Sequence, residues 1–149
     1  DTVEGIEYEG VEKARPNPDA ISAIRDSELV IIAPGNPLTS IGPMLTMKAI
    51  RKELYKNKRK VVAVSPIIGD DAISGPAGKY MKAAGFEVSA YGVAKFYAEV
   101  CSNLVIDTKD RMQTKKIETL NLNVHETKIK MTNKQSEDAL ASFILKQFS

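Results

Sequence analysis

Apolar positions along this chain form two kinds of pattern, and their alternation predicts the elements. Short continuous runs rich in β-branched residues occur at 28–33, 60–65 and 104–107. Runs of this length and composition predict strands, the first two of them buried on both faces. Two more strands are predicted at 86–90 and 120–124. Between them lie segments with apolar residues at helical spacing. One runs over 18–26, where Asn17-Pro18-Asp19 supplies a start signal. The next spans 43–57, with Met44, Met47, Ile50, Arg51 and Leu54 at helical intervals. Others span 76–84, opened by Pro76 and ended by Gly85, then 93–100 and 110–118. The last covers 133–148 and lines up Ala139, Leu140, Phe143, Ile144 and Phe148. Val3, Ile6 and Tyr8 make a short extended opening.

The order is β-α repeated about five times with short loops. This predicts an α/β fold, a three-layer Rossmann-like domain with a mostly parallel sheet and helices on both faces. In such sheets the C-terminal ends of the strands share one rim, and ligands bind there, where strand order reverses. The chain shows no internal repeat, low-complexity tract or linker, so residues 1–149 read as one domain.

Composition narrows the function classes. Lys plus Arg is 21 and Asp plus Glu is 19, a formal net charge of +2. That balance gives no case for a nucleic-acid or anionic-membrane partner. The lysines at 56–60 and 109–116 read as solvated helix ends. No apolar run approaches the ~20 residues needed to cross a bilayer, and no signal-peptide pattern opens the chain. A single cysteine, Cys101, forbids an internal disulfide and fits a reducing cytoplasm. Its apolar surroundings predict a buried structural thiol. The first residue is Asp1 rather than Met, which suggests processing or a piece of a longer protein.

Two loops carry candidate chemistry, and both join a predicted strand to a predicted helix. The first is Pro34-Gly35-Asn36-Pro37-Leu38-Thr39-Ser40-Ile41-Gly42-Pro43. Its glycines allow close backbone approach to a ligand, and amides at the start of the following helix would suit a phosphate. An ordinary strand-to-helix loop capped by Ser40 accounts for the same residues. It is neither a Walker motif nor a dinucleotide fingerprint. The second is Ser65-Pro66-Ile67-Ile68-Gly69-Asp70-Asp71-Ala72-Ile73-Ser74-Gly75-Pro76. Asp70 and Asp71 could each lend a carboxylate to Mg²⁺ or could form a solvated turn. Ser74 reads as a helix cap. His125, the one histidine, reads as a surface residue following the fifth strand. No Cys/His/acid cluster has zinc spacing.

At these loops the sequence resembles a known family. Asn36 through Leu45 is similar to the Asn-Pro-x-x-Ser-Ile-Gly-Pro-x-Leu signature of the 2-phospho-L-lactate transferase family. Val62-Ala63-Val64-Ser65-Pro66-Ile67-Ile68-Gly69 and Ser74-Gly75-Pro76-Ala77 resemble its next loop and helix start. Glu87 through Ala94, Val105-Ile106-Asp107, and the opening Val11 through Pro16 resemble it in order and spacing. The chain departs from it at Gly35, where serine is common, and at Asp70-Asp71, where Gly-Gly or Gly-Lys is common. The family's N-terminal half, with its glycine-rich loop and deazaflavin-holding residues, has no counterpart here, so the chain corresponds to a C-terminal half.

The resemblance implies a Mg²⁺-dependent transferase in coenzyme F-420 biosynthesis. The deazaflavin Fo would attack the phosphorus bearing lactate or enolpyruvate in a guanosine diphospho-linked donor, and GMP would leave. Asn36, Ser40, Ile41, Gly42, Ser65 and Gly69 are the expected donor-binding residues, with Mg²⁺ as cofactor and a cytoplasmic homodimer as the assembly. The alternatives are a nucleotide-sugar-binding regulator of the related gluconeogenesis-factor type and a non-catalytic nucleotide-binding or oligomerisation module.

Overall fold

Four strands pair in parallel to form the centre of the computed structural model, which describes residues 3–73 and 75–148. They are β1 (Val30–Ile32), β2 (Val61–Val64), β5 (Asn103–Asp107) and β6 (Asn123–Thr127), adjacent in that order. The register pairs Ile32 with Ala63, Val64 with Val105 and Asp107 with Thr127. Every strand therefore ends on the same rim, as the β-α alternation requires.

The two faces of the sheet are covered unequally. Val61, Ala63, Leu104 and Ile106 face the larger core, with Ile50, Leu54, Met81, Val93 and Tyr97 from the helices. Those helices are α1 (Pro18–Asp26), α2 (Gly42–Thr46), α3 (Lys48–Lys56), α4 (Ala77–Ala83), α5 (Ala90–Tyr97) and α6 (Thr114–Glu118). Val62, Val64 and Val105 face the other way, against Leu140 and Ile144 of α7 (Lys134–Gln147). β2 and β5 are buried throughout. The first strand, expected to be buried on both faces, is instead an edge strand, with Ile31 45% exposed.

Local chemistry explains where the elements differ from the sequence reading. The helix expected over 43–57 is broken at Met47. The Pro43 carbonyl accepts the Thr46 hydroxyl at 2.6 Å, and the Met47 N–H turns back to Met44. Such side-chain bonding back to the preceding turn bends a helix, and the Met47 backbone is extended. The strand expected at 86–90 does not form. Ser89 caps α5 by accepting the Gly92 N–H at 3.1 Å, and Phe86 packs edge-on against Phe96. Ser65–Ile73 holds an unexpected antiparallel hairpin, β3 (Ile67–Ile68) with β4 (Asp71–Ala72). The last strand begins at Asn123 rather than Leu120, because the Leu120 and Asn121 amides close the end of α6. Lys60, expected to be solvated, donates to the Arg25 and Ser27 carbonyls and ties down the end of α1. Ala139 is exposed rather than on the packed face of α7.

Candidate functional site

The rim is built by what each strand does when it ends. After β1 the chain enters a five-residue π-type turn, Pro37–Ile41, that runs directly into α2. Asn36 holds that turn. Its Oδ1 accepts the Leu38 and Thr39 N–H groups at 3.0 and 3.3 Å, and its carbonyl accepts those of Ser40 and Ile41 at 3.0 and 3.2 Å. Pro37 has no N–H to offer. The cap is therefore Asn36 and not Ser40, and the first-turn amides expected to face an anion are already bonded within the turn. Thr39 and Ser40 are exposed, while Ile41 is half-buried. The Asn36 amide nitrogen is buried with no hydrogen-bond partner among the described residues.

Gly42 is buried. A Cβ there would lie 2.1 Å from the Tyr8 hydroxyl and 3.1 Å from the Pro37 carbonyl oxygen. The close approach that requires glycine is thus made by Tyr8, whose hydroxyl donates to the Leu38 carbonyl. A hollow of about 480 Å³ opens beside this contact, lined by Tyr8, Leu38, Gly42, Leu45, Phe96 and Val100. The Arg51–Glu99 ion pair stands on its wall. Of the expected site residues, Gly42 alone lines it.

After β2 the second loop begins alongside the first, since β1 and β2 are paired neighbours. Ser65 is fully buried and its hydroxyl is spent locally, accepting the Ile67 N–H at 3.1 Å and donating to the Ile67 carbonyl at 3.0 Å. Gly69 is exposed at the turn of the hairpin, with φ of 67°. The turn needs that positive φ, which side chains resist. Asp70 and Asp71 are exposed. Ser74 lies outside the described residues. α4 follows, with no side-chain cap at Pro76.

After β5 come residues that sequence reasoning did not single out. Asp107 is buried and accepts the Lys109 N–H at 3.0 Å and the Ile129 N–H at 3.1 Å, clasping the ends of β5 and β6. Asp110 is also buried, and its carboxylate accepts the Gly69 N–H. Burial and the neighbouring Asp107 hold its carboxyl above the usual carboxylate range, against the pull of that hydrogen bond. An acid at the C-terminal end of a buried strand was the available signal, because that is where rim residues stand.

His125 lies within β6 rather than after it. It is half-buried, its ring 5.6 Å from that of Phe148, and burial lowers its pKa. Cys101 is fully buried and its thiol is pushed up to about 12, as a structural cysteine should be. Among the described residues no group of three or more His, Cys, Asp or Glu could hold a metal ion. Among the described residues no helix is long and apolar enough to cross a membrane.

Residues 1–146 match the family model described as 2-phospho-L-lactate transferase CofD. The chain is 53% identical over 110 residues to a 2-phospho-L-lactate transferase of Methanocaldococcus jannaschii, covering 74% of this chain and 35% of that protein. It is 40% identical over 146 residues to one of Methanosarcina mazei, covering 98% of this chain and 48% of that protein. A third, from Methanothermobacter thermautotrophicus, is 41% identical over 133 residues, 89% of this chain and 43% of that protein. The chain therefore spans about half the length, or less, of the curated relatives it matches.

Proposed function

The chain belongs to the 2-phospho-L-lactate transferase CofD family, and from that premise we propose that it forms the donor-binding half of such a transferase. The reaction would move a 2-phospholactyl or phosphoenolpyruvyl group from a guanosine diphospho-linked donor to the deazaflavin Fo, in the cytoplasm, during coenzyme F-420 biosynthesis. An Fo hydroxyl oxygen bonds to the phosphorus that bears the lactate or enolpyruvate oxygen. The bond from that phosphorus to the GMP oxygen breaks, GMP leaves with the bonding electron pair, and the hydroxyl proton passes to solvent. Such chemistry depends on positioning and charge neutralisation more than on covalent help from side chains.

The observation that supports this best is that both motif loops shared with the family leave neighbouring parallel strands on one rim. In this reading the exposed Thr39 and Ser40 hydroxyls meet the donor, with Gly69 across from them. Asn36, Ile41, Gly42 and Ser65 hold the two turns in shape. The described residues do not by themselves fit a Mg²⁺ site, because no three His, Cys, Asp or Glu among them are grouped to hold a metal ion. Mg²⁺, if required, would draw its ligands from the donor phosphates and from the rest of the protein.

Substitution of Gly42 tests the reading. A valine there must push Tyr8 off the Leu38 carbonyl and strain the Asn36-capped turn. In the full-length protein Gly42→Val is expected to weaken GDP binding at least tenfold by calorimetry, about 1.4 kcal/mol. Unchanged affinity in a folded variant would remove this loop from the site. GDP binding by the full-length protein without GMP release would instead favour the regulatory alternative.

The acidic pair gives a second, opposite expectation. Asp70 and Asp71 are exposed on the hairpin and belong to no metal-holding group among the described residues. Replacing both with Asn should leave the Mg²⁺ concentration dependence of the full-length enzyme unchanged. A loss of activity that extra Mg²⁺ restores would make the pair a metal site.

A further inference from the structure

Asp110 is an acid 3% exposed to solvent, and carboxylates are rarely buried so deeply without a cationic partner. None of the ion pairs among the described residues includes it. It stands three residues beyond the end of β5, in the 3₁₀ segment Thr108–Gln113. Its partners are a backbone amide and a side-chain amide. Gly69 N–H lies 3.0 Å from Oδ1 and 3.2 Å from Oδ2, and Gln113 Nε2 lies 3.4 Å from Oδ1. Gln113 in turn accepts the Tyr91 N–H, in the first turn of α5, at 2.9 Å.

These contacts join three separate pieces of the rim. Gly69 is the turn of the hairpin after β2, Asp110 and Gln113 follow β5, and Tyr91 begins α5. The Gly69 contact spans 41 residues of sequence and the Tyr91 contact 22. Stability is a poor account of this arrangement. Burial and Asp107 both disfavour the charged carboxyl, and the Gly69 amide and Lys109 offset them only in part, since the net shift is upward. An apolar side chain would fill the same place without the desolvation cost. What a carboxylate supplies there is a two-oxygen acceptor for one particular amide.

We propose that Asp110 is a positioning residue that pins the Gly69 turn to the rim, setting the second loop where the phosphate-bearing donor binds. The proposal rests on the donor-site reading above, and it assigns Asp110 no contact with the donor itself. A loop free to wander binds a ligand poorly, because ordering it must come out of the binding free energy. The pin removes that cost before the ligand arrives.

Two variants and two measurements test it in the full-length protein. Asp110→Asn keeps a carbonyl oxygen for the Gly69 N–H, whereas Asp110→Ala removes the acceptor. Amide hydrogen exchange reads the pin directly, without ligand. Gly69 should lose at least tenfold protection in Asp110→Ala and keep most of it in Asp110→Asn. The KM for the guanosine donor, or the Kd for GDP, should rise about tenfold in the alanine variant, the scale of one hydrogen bond to a charged group. The asparagine variant should stay within about threefold of the parent. Unchanged Gly69 exchange in Asp110→Ala would overturn the pin. Lost protection with unchanged affinity would overturn its service to the donor. Equal loss of affinity and melting temperature in both variants would make Asp110 a structural residue only. Failure of the unsubstituted protein to bind GDP would refute the donor-site reading, while the exchange result would still decide the pin.

Discussion

Incubated with Fo, Mg²⁺ and the guanosine donor, the 149-residue chain on its own is expected to release no GMP above a protein-free control. The reason lies in the sheet. Strand order β1-β2-β5-β6 advances in one direction only. Ligands in doubly wound sheets bind where that order reverses, between loops from strands on either side. No reversal occurs among the described strands, so half of such a crevice is absent. The same geometry explains the uneven cover. Right-handed crossovers that advance in one direction place their helices on one face. Here α3 and α5 lie on one face, and the opposite face is covered by α7 together with Ile68, Ile73 and Ile129.

Near β1 that second face is open, which is why Ile31 is 45% exposed. β1 also presents an unpaired edge, a template for another strand. The family relatives are about twice as long as this chain. The isolated chain should therefore self-associate, and sedimentation should show oligomers that dissociate when the unmatched half of a family relative is supplied in trans. Robust GMP release by a monomer of this chain would refute the expectation that half the site lies elsewhere.

Gly92→Ala should be the most damaging single methyl group in the structure. The Cβ would lie 1.8 Å from the Glu87 carbonyl oxygen and 2.8 Å from its carbon, both backbone atoms, and 3.2 Å from the Met81 terminal methyl. Side chains can rotate away from an intruder, but this backbone cannot. Ser89 clamps the turn by accepting the Gly92 N–H, and the Ser89 N–H donates back to the Glu87 carbonyl at 3.0 Å. Relief requires α5 to lift off the core, where Val93, Ala94 and Tyr97 are fully buried. We expect a loss of about 3 kcal/mol or more, the upper end for overpacking. For a domain of this size that is a fall in melting temperature on the order of 10 °C. Gly35→Ala is the control, because its Cβ would meet the Ser40 side chain at an ordinary 3.4 Å. Similar melting temperatures for the two variants would show that the Glu87–Gly92 approach is looser than the structure indicates.

Legibility in the sequence followed the range of the interactions. The runs at 28–33, 60–65 and 104–107 became strands of one parallel sheet because each has an apolar centre and is bounded by turn residues. Pro18 behind Asn17 opened α1, and Asn133 opened α7 through a capping box. The two rim loops were legible as loops, and their motifs were sufficient to suggest the family. At 86–90, however, the predicted strand did not form. Ser89 could serve either as a strand residue or as a cap, and the cap prevailed because the four paired strands left that segment without a ladder partner.

Periodicity, capping and turn chemistry are settled among residues a few places apart, so they can be read along the chain. The rest depends on partners that only folding brings together. Gly42 reads as a ligand contact until Tyr8, 34 residues earlier in the numbering, is found against it. The turn at 37–41 reads as a cradle of free amides until Asn36 is seen to occupy them. Asp110 reads as one more charge in a lysine-rich stretch until the sheet places it under Gly69. Burial and hydrogen-bond partnership are properties of the packed solid, in which strand neighbours need not be chain neighbours, and that is why the architecture was legible and the wiring of its rim was not.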